Sequence, residues 1–231
     1  MKIALLSDLH ANIYALQAVL DDLNKERVEK ILVAGDLVGY YYWPREVIEM
    51  LMSDDRFICI RGNHEKILDE VLINDEAAHR YRKKYGSGYE ACRNQLSSTQ
   101  MLWLKSLPEE MRLDIGGMQF HVGHGALGST DEYLYPDAPL EELLKNYSDR
   151  EYTVFGHTHY PFLHKHGNRY LLNPGSVGQP RDLGGSASYI VVNTENQVIR
   201  FKRKAFDTES IIRAVRERNP ELDYLSAIMS R

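Results

Sequence analysis

Along the chain, short apolar runs alternate with longer stretches in which apolar residues recur every three or four positions. Lys2 to Ser7 is a β-rich run, and Asn12 to Lys25 carries Ile13, Leu16, Val19, Leu20 and Leu23 at helical spacing. Ile31 to Ala34 predicts a second strand, ending in Gly35-Asp36. Pro44 to Met52 predicts a second helix, with Pro44 in the first turn, where its missing N–H would have no helical partner anyway. Phe57 to Ile60 predicts a third strand, which gives way to Gly62-Asn63-His64-Glu65. Strand, helix, strand, helix, strand describes a largely parallel sheet with crossover helices. Ligands of such sheets gather beyond the carboxyl ends of the strands.

From Lys66 to Leu107 the pattern is helical and polar, with Leu96, Leu102, Trp103, Leu104 and Leu107 as apolar positions, and predicts a helical excursion beside the strand ends. Met111 to Ile115 and Gln119 to Val122 flank Gly116-Gly117, a strong hairpin signal, and the second run ends in Gly123-His124-Gly125. A short helix over Leu140 to Tyr147 leads to the strand Tyr152 to Phe155, which stops at Gly156-His157-Thr158-His159. Four more β-runs follow: Phe162 to Lys165, Tyr170 to Leu172, Ala187 to Asn193 and Gln197 to Arg203. A loop dense in breakers, Asn173 to Asp182, lies among them. Asp207 to Glu217 predicts a terminal helix capped by Asp207 or Thr208. No repeat or linker divides the chain, so a single domain over 1–231 is expected.

Composition narrows the function more than the fold. At 231 residues with 43% apolar and 26% charged positions, the chain can bury a full core without membrane or disordered character. A formal net charge of −5 argues against a general nucleic-acid binder, which needs basic surface to displace counterions. The basic runs Arg82 to Lys84 and Lys202 to Lys204 read as solvated faces. The first apolar run is too short for a signal peptide and no stretch approaches a membrane span, so a cytoplasmic home is expected. Cys59 and Cys92 form neither a metal-type pair nor a disulfide framework and read as packed thiols. The oligomeric state is not readable.

Collected, the residues at the β-run ends are Asp8, His10, Asp36, Asn63, His64, His124, His157 and His159. Alternate residues of an extended segment point the same way, so Asp8 with His10, and His157 with His159, can converge. Carboxylates, imidazoles and an amide, with no thiolate, suit Mn, Fe, Zn or Co better than Ca or Mg. Seven potential ligands exceed what one ion takes and fit two ions sharing a carboxylate. Each motif alone is ordinary: Asp-x-His is common, and glycine followed by polar residues is turn chemistry. Recurrence at five β-run ends is what carries weight. His121 has the opposite strand parity to His124 and stays outside the set, while His79, His164 and His166 lie in no motif and are expected at the surface.

Taken in order, Asp8-x-His10, Gly35-Asp36, Gly62-Asn63-His64-Glu65, His124-Gly125 and Gly156-His157-x-His159 resemble the motifs of the calcineurin-like metallophosphoesterases. Ser7 to Asn12, Gly35 to Tyr40 and Asn173 to Arg181 resemble its small bacterial and archaeal phosphodiesterase-type branch. The fold this resemblance implies is an α/β (α+β) four-layer αββα sandwich, two mixed sheets flanked by helices. It implies one metal held by Asp8, His10, Asp36 and His159 and a second held by Asp36, Asn63, His124 and His157, with His64 as a catalytic histidine that is not a ligand. The implied cofactors are two divalent transition-metal ions, Mn first, with Fe, Zn, Ni or Co as alternatives. The implied substrate is a small phosphodiester or nucleotide-type ester, attacked by metal-activated water. Alternatives are a dinucleoside-polyphosphate hydrolase and a non-catalytic scaffold of the same fold. His64 and the complete ligand set favour an enzyme over the scaffold.

One departure bears on substrate. Protein Ser/Thr phosphatases of the superfamily follow Gly-Asp with an Asp-Arg pair, where this chain has Gly39 and Tyr40, so protein phosphatase activity is not expected. Tyr40 to Trp43 form an aromatic cluster that either stacks on a base or packs in the core. Tyr40 and Arg181 are the candidate substrate contacts, and Glu65 is left to cap a helix or orient its neighbours.

Overall fold

The computed structural model describes residues 1–231. The first half runs β1 (Lys2–Leu6), α1 (Ile13–Lys25), β2 (Lys30–Ala34), α2 (Pro44–Ser53), β3 (Phe57–Ile60), then α3 (Asn63–Ile73), α4 (Asp75–Tyr85), α5 (Gly88–Gln95) and α6 (Ser98–Ser106). The second half runs β4 (Met111–Ile115), β5 (Met118–Val122), α7 (Leu140–Lys145), β6 (Tyr152–Val154), β7 (Phe162–His166), β8 (Arg169–Asn173), β9 (Ser186–Asn193), β10 (Val198–Ala205), α8 (Thr208–Arg218) and α9 (Tyr224–Ala227).

Two five-stranded mixed sheets result, ordered β10-β9-β1-β2-β3 and β4-β5-β6-β8-β7. In the first, β1, β2 and β3 are parallel, with Leu5 opposite Leu32, while β9 and β10 run antiparallel. In the second, β5, β6 and β8 are parallel between antiparallel β4 and β7. The strand period of two sorts the side chains into layers. Ile3, Leu5, Leu32 and Ile60 join Phe120, Val122, Val154 and Leu172 in a core between the sheets. Ala4, Leu6, Ile31 and Val33 face Leu16, Val19 and Val215 in a larger core under the helices. A small third core under α7 gathers Leu143, Phe155 and Leu171. Burial on both faces is why β1 and β2 read as continuous apolar runs. The architecture is the αββα sandwich that the sequence resemblance implies, and no helix is long and apolar enough to cross a membrane.

Local chemistry sets the boundaries. Asn12 caps α1 by accepting from the Ala15 N–H at 3.1 Å. The β4–β5 turn uses Gly116 and Gly117 at φ +59° and +77°, the double left-handed step of a tight hairpin. Three expectations need correction. The helical excursion begins at Asn63, not near Lys66, because Glu65 accepts the Gly62 N–H at 2.7 Å and closes the first turn directly after the strand. The predicted terminal helix is not terminal: the chain goes on through α9 and Ile228–Ser230 and buries Leu225, Ile228 and Met229. Lys202 to Lys204 is half-buried, with Lys202 paired to Asp22 and Glu26 and Arg203 to Asp182. The C-terminal segment also clamps the excursion, since Asn219 Oδ1 accepts from the hydroxyls of Tyr42 at 2.9 Å and Ser87 at 2.8 Å.

Candidate metal centre

Where β1 and β2 end, their loops continue side by side. The Asp8 N–H donates to Gly35 O at 3.1 Å and the His10 N–H to Asp36 O at 2.9 Å. The breaker-rich loop closes over them, with Val177 N–H on Ser7 O at 3.0 Å, Gly178 N–H on Asp8 O at 2.9 Å, and the Asn12 amide on Gly178 O at 2.7 Å. The backbone turns left-handed at Asp8, His10, Ala11, Asp36, Tyr40, His157 and His159, with φ between 49° and 64°. Such positions cost non-glycine residues about 1 kcal/mol each and persist only when neighbours dictate them. They also correct the expectation of strand alternation: Asp8 meets His10, and His157 meets His159, through left-handed turns and not through an extended backbone.

All eight strand-end residues come together and are buried. Ligand atoms of Asp8, His10 and His159 lie within 4.8 Å of one another, as do those of Asp36, His124 and His157. Asp36 sits between the two groups, its Oδ2 3.2 Å from His124 Nε2 and 3.9 Å from His10 Nε2. Asn63 Oδ1 lies 3.1 Å from His124 Nε2. His157 N–H and His64 N–H hold the carboxylates of Asp8 and Asp36 at 3.1 and 2.9 Å.

What stands behind each ring decides what its front can do. His10 Nδ1 faces Val38 O at 3.1 Å, His124 Nδ1 faces Ala34 O at 2.7 Å, His157 Nε2 faces Asp131 O at 3.2 Å, and His159 Nδ1 faces Gln179 O at 2.7 Å. A carbonyl only accepts, so each of these nitrogens carries the proton and a neutral ring turns a lone pair to the centre. His10 and His159 then point lone pairs at each other across 3.1 Å, with Asp8 Oδ1, which has no hydrogen-bond partner, 3.3 Å from the latter. His124 Nε2 likewise meets only acceptors, Asp36 Oδ2 and Asn63 Oδ1. Acceptors packed face to face repel unless a cation lies among them, and this nitrogen and oxygen set fits a divalent transition metal.

The chain's own charges express the same demand. Burial would raise the Asp8 carboxyl, but the field of the imidazole cluster around it outweighs burial and takes it well below the usual carboxylate range. Burial opposes ionisation of Asp36 too, and His124 beside it, foremost, holds it well below. Burial lowers His124, yet Asp36 and Asp8 push it up to about 10, so a proton there stands in for a cation. Burial takes His10 well below its ordinary value and His157 and His64 down to about 4, which leaves those rings neutral.

Glu65, unassigned by sequence, anchors the floor. Its Oε1 accepts from Leu37 and Val38 N–H at 2.8 and 3.0 Å, and its Oε2 from Asp36 and Gly62 N–H at 3.1 and 2.7 Å. Burial and the Asp36 charge push its carboxyl up to about 7, against these four donors. Glu65→Gln can satisfy only one pair and turns an amide N–H₂ to the other, at a cost on the order of 3 kcal/mol. The melting temperature should fall by roughly 6–12 °C. A melt superimposable on wild type would remove Glu65 from this role.

Of the candidate substrate contacts, Tyr40 is 5% exposed, its ring packed on His10, His64 and Tyr85 at centroid distances of 4.6, 4.8 and 5.2 Å. With its faces covered it offers no platform to a base. Its hydroxyl lies 3.5 Å from Arg181 Nη2, which brings that half-buried guanidinium to the edge of the cluster. Tyr41 and Tyr42 belong to the core. Sequence reasoning missed Tyr85, Tyr89 and Tyr133. Tyr81, Tyr85 and Tyr89 recur every four residues, a readable spacing even though Tyr89 lies on the next helix, whereas Tyr133, stacked on His157 at 4.0 Å, gave no signal. Cys59 and Cys92 are buried thiols, and His121 bonds Glu110 at 3.1 Å, away from the centre. His79 and His166 are exposed, as expected, but His164 is half-buried and bonded to Tyr147.

Comparison with known proteins agrees with this geometry. Residues 1–197 match the family model of the calcineurin-like phosphoesterase superfamily domain. An uncharacterized protein of Methanocaldococcus jannaschii is 32% identical over 95% of this chain and 94% of its own length. The crystal structure of a metallophosphoesterase from Sphaerobacter thermophilus superposes with a TM-score of 0.80 at 30% identity, covering 100% of this chain and 99% of that one. The phosphodiesterase YfcE of Escherichia coli is 24% identical over 84% of this chain and 89% of its own.

Proposed function

The chain belongs to the calcineurin-like phosphoesterase superfamily and is a phosphoester hydrolase, and on that footing we propose that it hydrolyses phosphodiesters or nucleotide-type esters at a centre of two divalent transition-metal ions. The observation that carries this reading is the convergence of four carbonyl-backed imidazoles on Asp8, Asp36 and Asn63. Asp8, His10, Asp36 and His159 would hold one ion and Asp36, Asn63, His124 and His157 the other, the last through Nδ1 because its Nε2 is engaged. Mixed imidazole and carboxylate ligands suit Mn, Fe, Zn, Ni or Co, and the family resemblance puts Mn first. Bound there, such ions would supply charge to neutralise the non-bridging oxygens of an ester and would lower the pKa of water for attack at neutral pH.

The chain's own groups do the rest. His64 Nε2, 4.0 Å from Asp36 Oδ2, faces the cluster without belonging to a carbonyl-backed set, and donates a hydrogen bond to the leaving oxygen as charge develops there. Arg181 contributes a fixed positive charge to an ester oxygen, and Tyr40 forms the wall that sets its reach. Tyr133, 46% exposed with its ring stacked on His157 and Tyr135, borders the centre with its edge and limits how the organic part of an ester can approach.

Bis-(p-nitrophenyl) phosphate, p-nitrophenyl phosphate and nucleotides, each assayed with Mn and after chelation, test the reading. Hydrolysis should require the metal. Chelation should also lower the melting temperature, since an ion at a hundred times its Kd contributes about 2.7 kcal/mol, or roughly 5–10 °C here. A Mn-loaded protein inert toward all three classes would point to a scaffold.

A further inference from the structure

We propose that Tyr89 is a positioning residue that fixes His64 as a hydrogen-bond donor, an inference that rests on the phosphoesterase reading above. Tyr89 is 3% exposed and its hydroxyl lies 2.6 Å from His64 Nδ1, its one hydrogen-bond partner in the protein. Satisfaction decides the direction of that bond. A neutral phenol has one proton to give, and Nδ1 is the acceptor in reach. Were Nδ1 the donor, the phenolic hydrogen would be stranded in a buried site, at a cost of about 1–3 kcal/mol.

With Tyr89 donating, the Nδ1 lone pair is used and the proton of the neutral ring sits on Nε2, pointing into the cluster. This reverses the arrangement at His10, His124, His157 and His159, where a carbonyl behind the ring leaves a lone pair in front. One side-chain type is thus divided into ligands and a donor by what stands behind it. Distance alone would not make the division, since the ligand atoms of His10, Asp36 and His64 also lie within 4.8 Å of one another. A protonated Nε2 does not ligate a cation.

The surroundings hold this state. Tyr89 lies nearly parallel to the His64 ring at 5.7 Å, and Tyr85 and Tyr40 pack on the same ring at 4.9 and 4.8 Å. Gly39, at φ +88°, lies against Nδ1 so closely that a Cβ there would overlap it. The approach to Nδ1 is left to the hydroxyl delivered by α5, and the helical excursion thereby contributes to the centre it borders.

Tyr89→Phe keeps the ring and removes the hydroxyl. Turnover should fall about tenfold, the equivalent of one hydrogen bond, with KM and Mn content unchanged. The fall should be larger for alkyl esters, whose leaving oxygen concentrates charge, than for p-nitrophenyl esters. In a His64→Ala background the same change should add nothing. Nitrogen NMR of ¹⁵N-histidine-labelled, Zn-loaded protein reads the tautomer independently of activity: His64 should be protonated at Nε2 in wild type and mixed or reversed in Tyr89→Phe. Protonation at Nδ1 in wild type, or multiplicative losses in the double variant, would overturn the proposal. Loss in His64→Ala without loss in Tyr89→Phe overturns the role of Tyr89 alone, whereas no loss in either overturns the role of His64 and this inference with it.

Discussion

Asp36→Asn should lose its divalent ions and its activity together, with turnover down by about 10³-fold or more, since an ion pair contributes several kcal/mol of charge stabilisation to the transition state. In the proposed centre Asp36 is the carboxylate that both ions share: Oδ2 lies 3.2 Å from His124 Nε2 and 3.9 Å from His10 Nε2, while Oδ1 accepts the His64 N–H at 2.9 Å. Asparagine keeps the shape and one acceptor oxygen. It removes the negative charge and offers N–H₂ where a cation would sit, so the two half-sites lose their common member at once. Metal analysis after dialysis against Mn, with circular dichroism to establish an intact fold, is the measurement. Retention of two ions per chain would show that Asp36 is not shared.

His64→Ala should behave in the opposite way toward metal. Removal of one preorganised donor to a developing oxyanion costs about 10²–10³ in turnover. His64 reaches the cluster with Nε2, but its other nitrogen is held by a hydroxyl, so the ions should stay and KM should move little. The same metal analysis, read beside single-substrate kinetics, separates the two variants. His64→Ala emptied of metal would mean that the division between ligands and donor is wrong.

Several parts of this molecule were legible in the residues alone. β3 falls on Phe57 to Ile60 and the β4–β5 hairpin on its glycine pair because period and turn chemistry are local properties. The gathering of Asp8, Asp36 and Asn63 beyond three parallel strands followed from the general placement of sites in such sheets. The union of those residues with His124, His157 and His159 was suggested by the recurrence of ligand types at five β-run ends, but the facing of two sheets that produces it came only from the resemblance. The start of α3 was misjudged because Gly62 reads as a turn until Glu65 is seen to reach back to its N–H. Tyr89 could not be assigned, because its partner lies 25 residues away and on a different helix. The Asn219 clamp and the burial of Leu225, Ile228 and Met229 were missed for a related reason: one asparagine and three scattered apolar residues carry no period.

Seven of the nine non-glycine residues with left-handed backbone lie in the loops of the centre. At about 1 kcal/mol each, they set several kcal/mol against a net stability of roughly 5–15 kcal/mol for a domain. Conformations of that kind are held only by completed surroundings, here two sheets, the breaker-rich loop and the buried Glu65. Secondary structure should therefore return early when the chain refolds, and the competent centre last, as the final region to leave the unfolded ensemble and the first to re-enter it on warming.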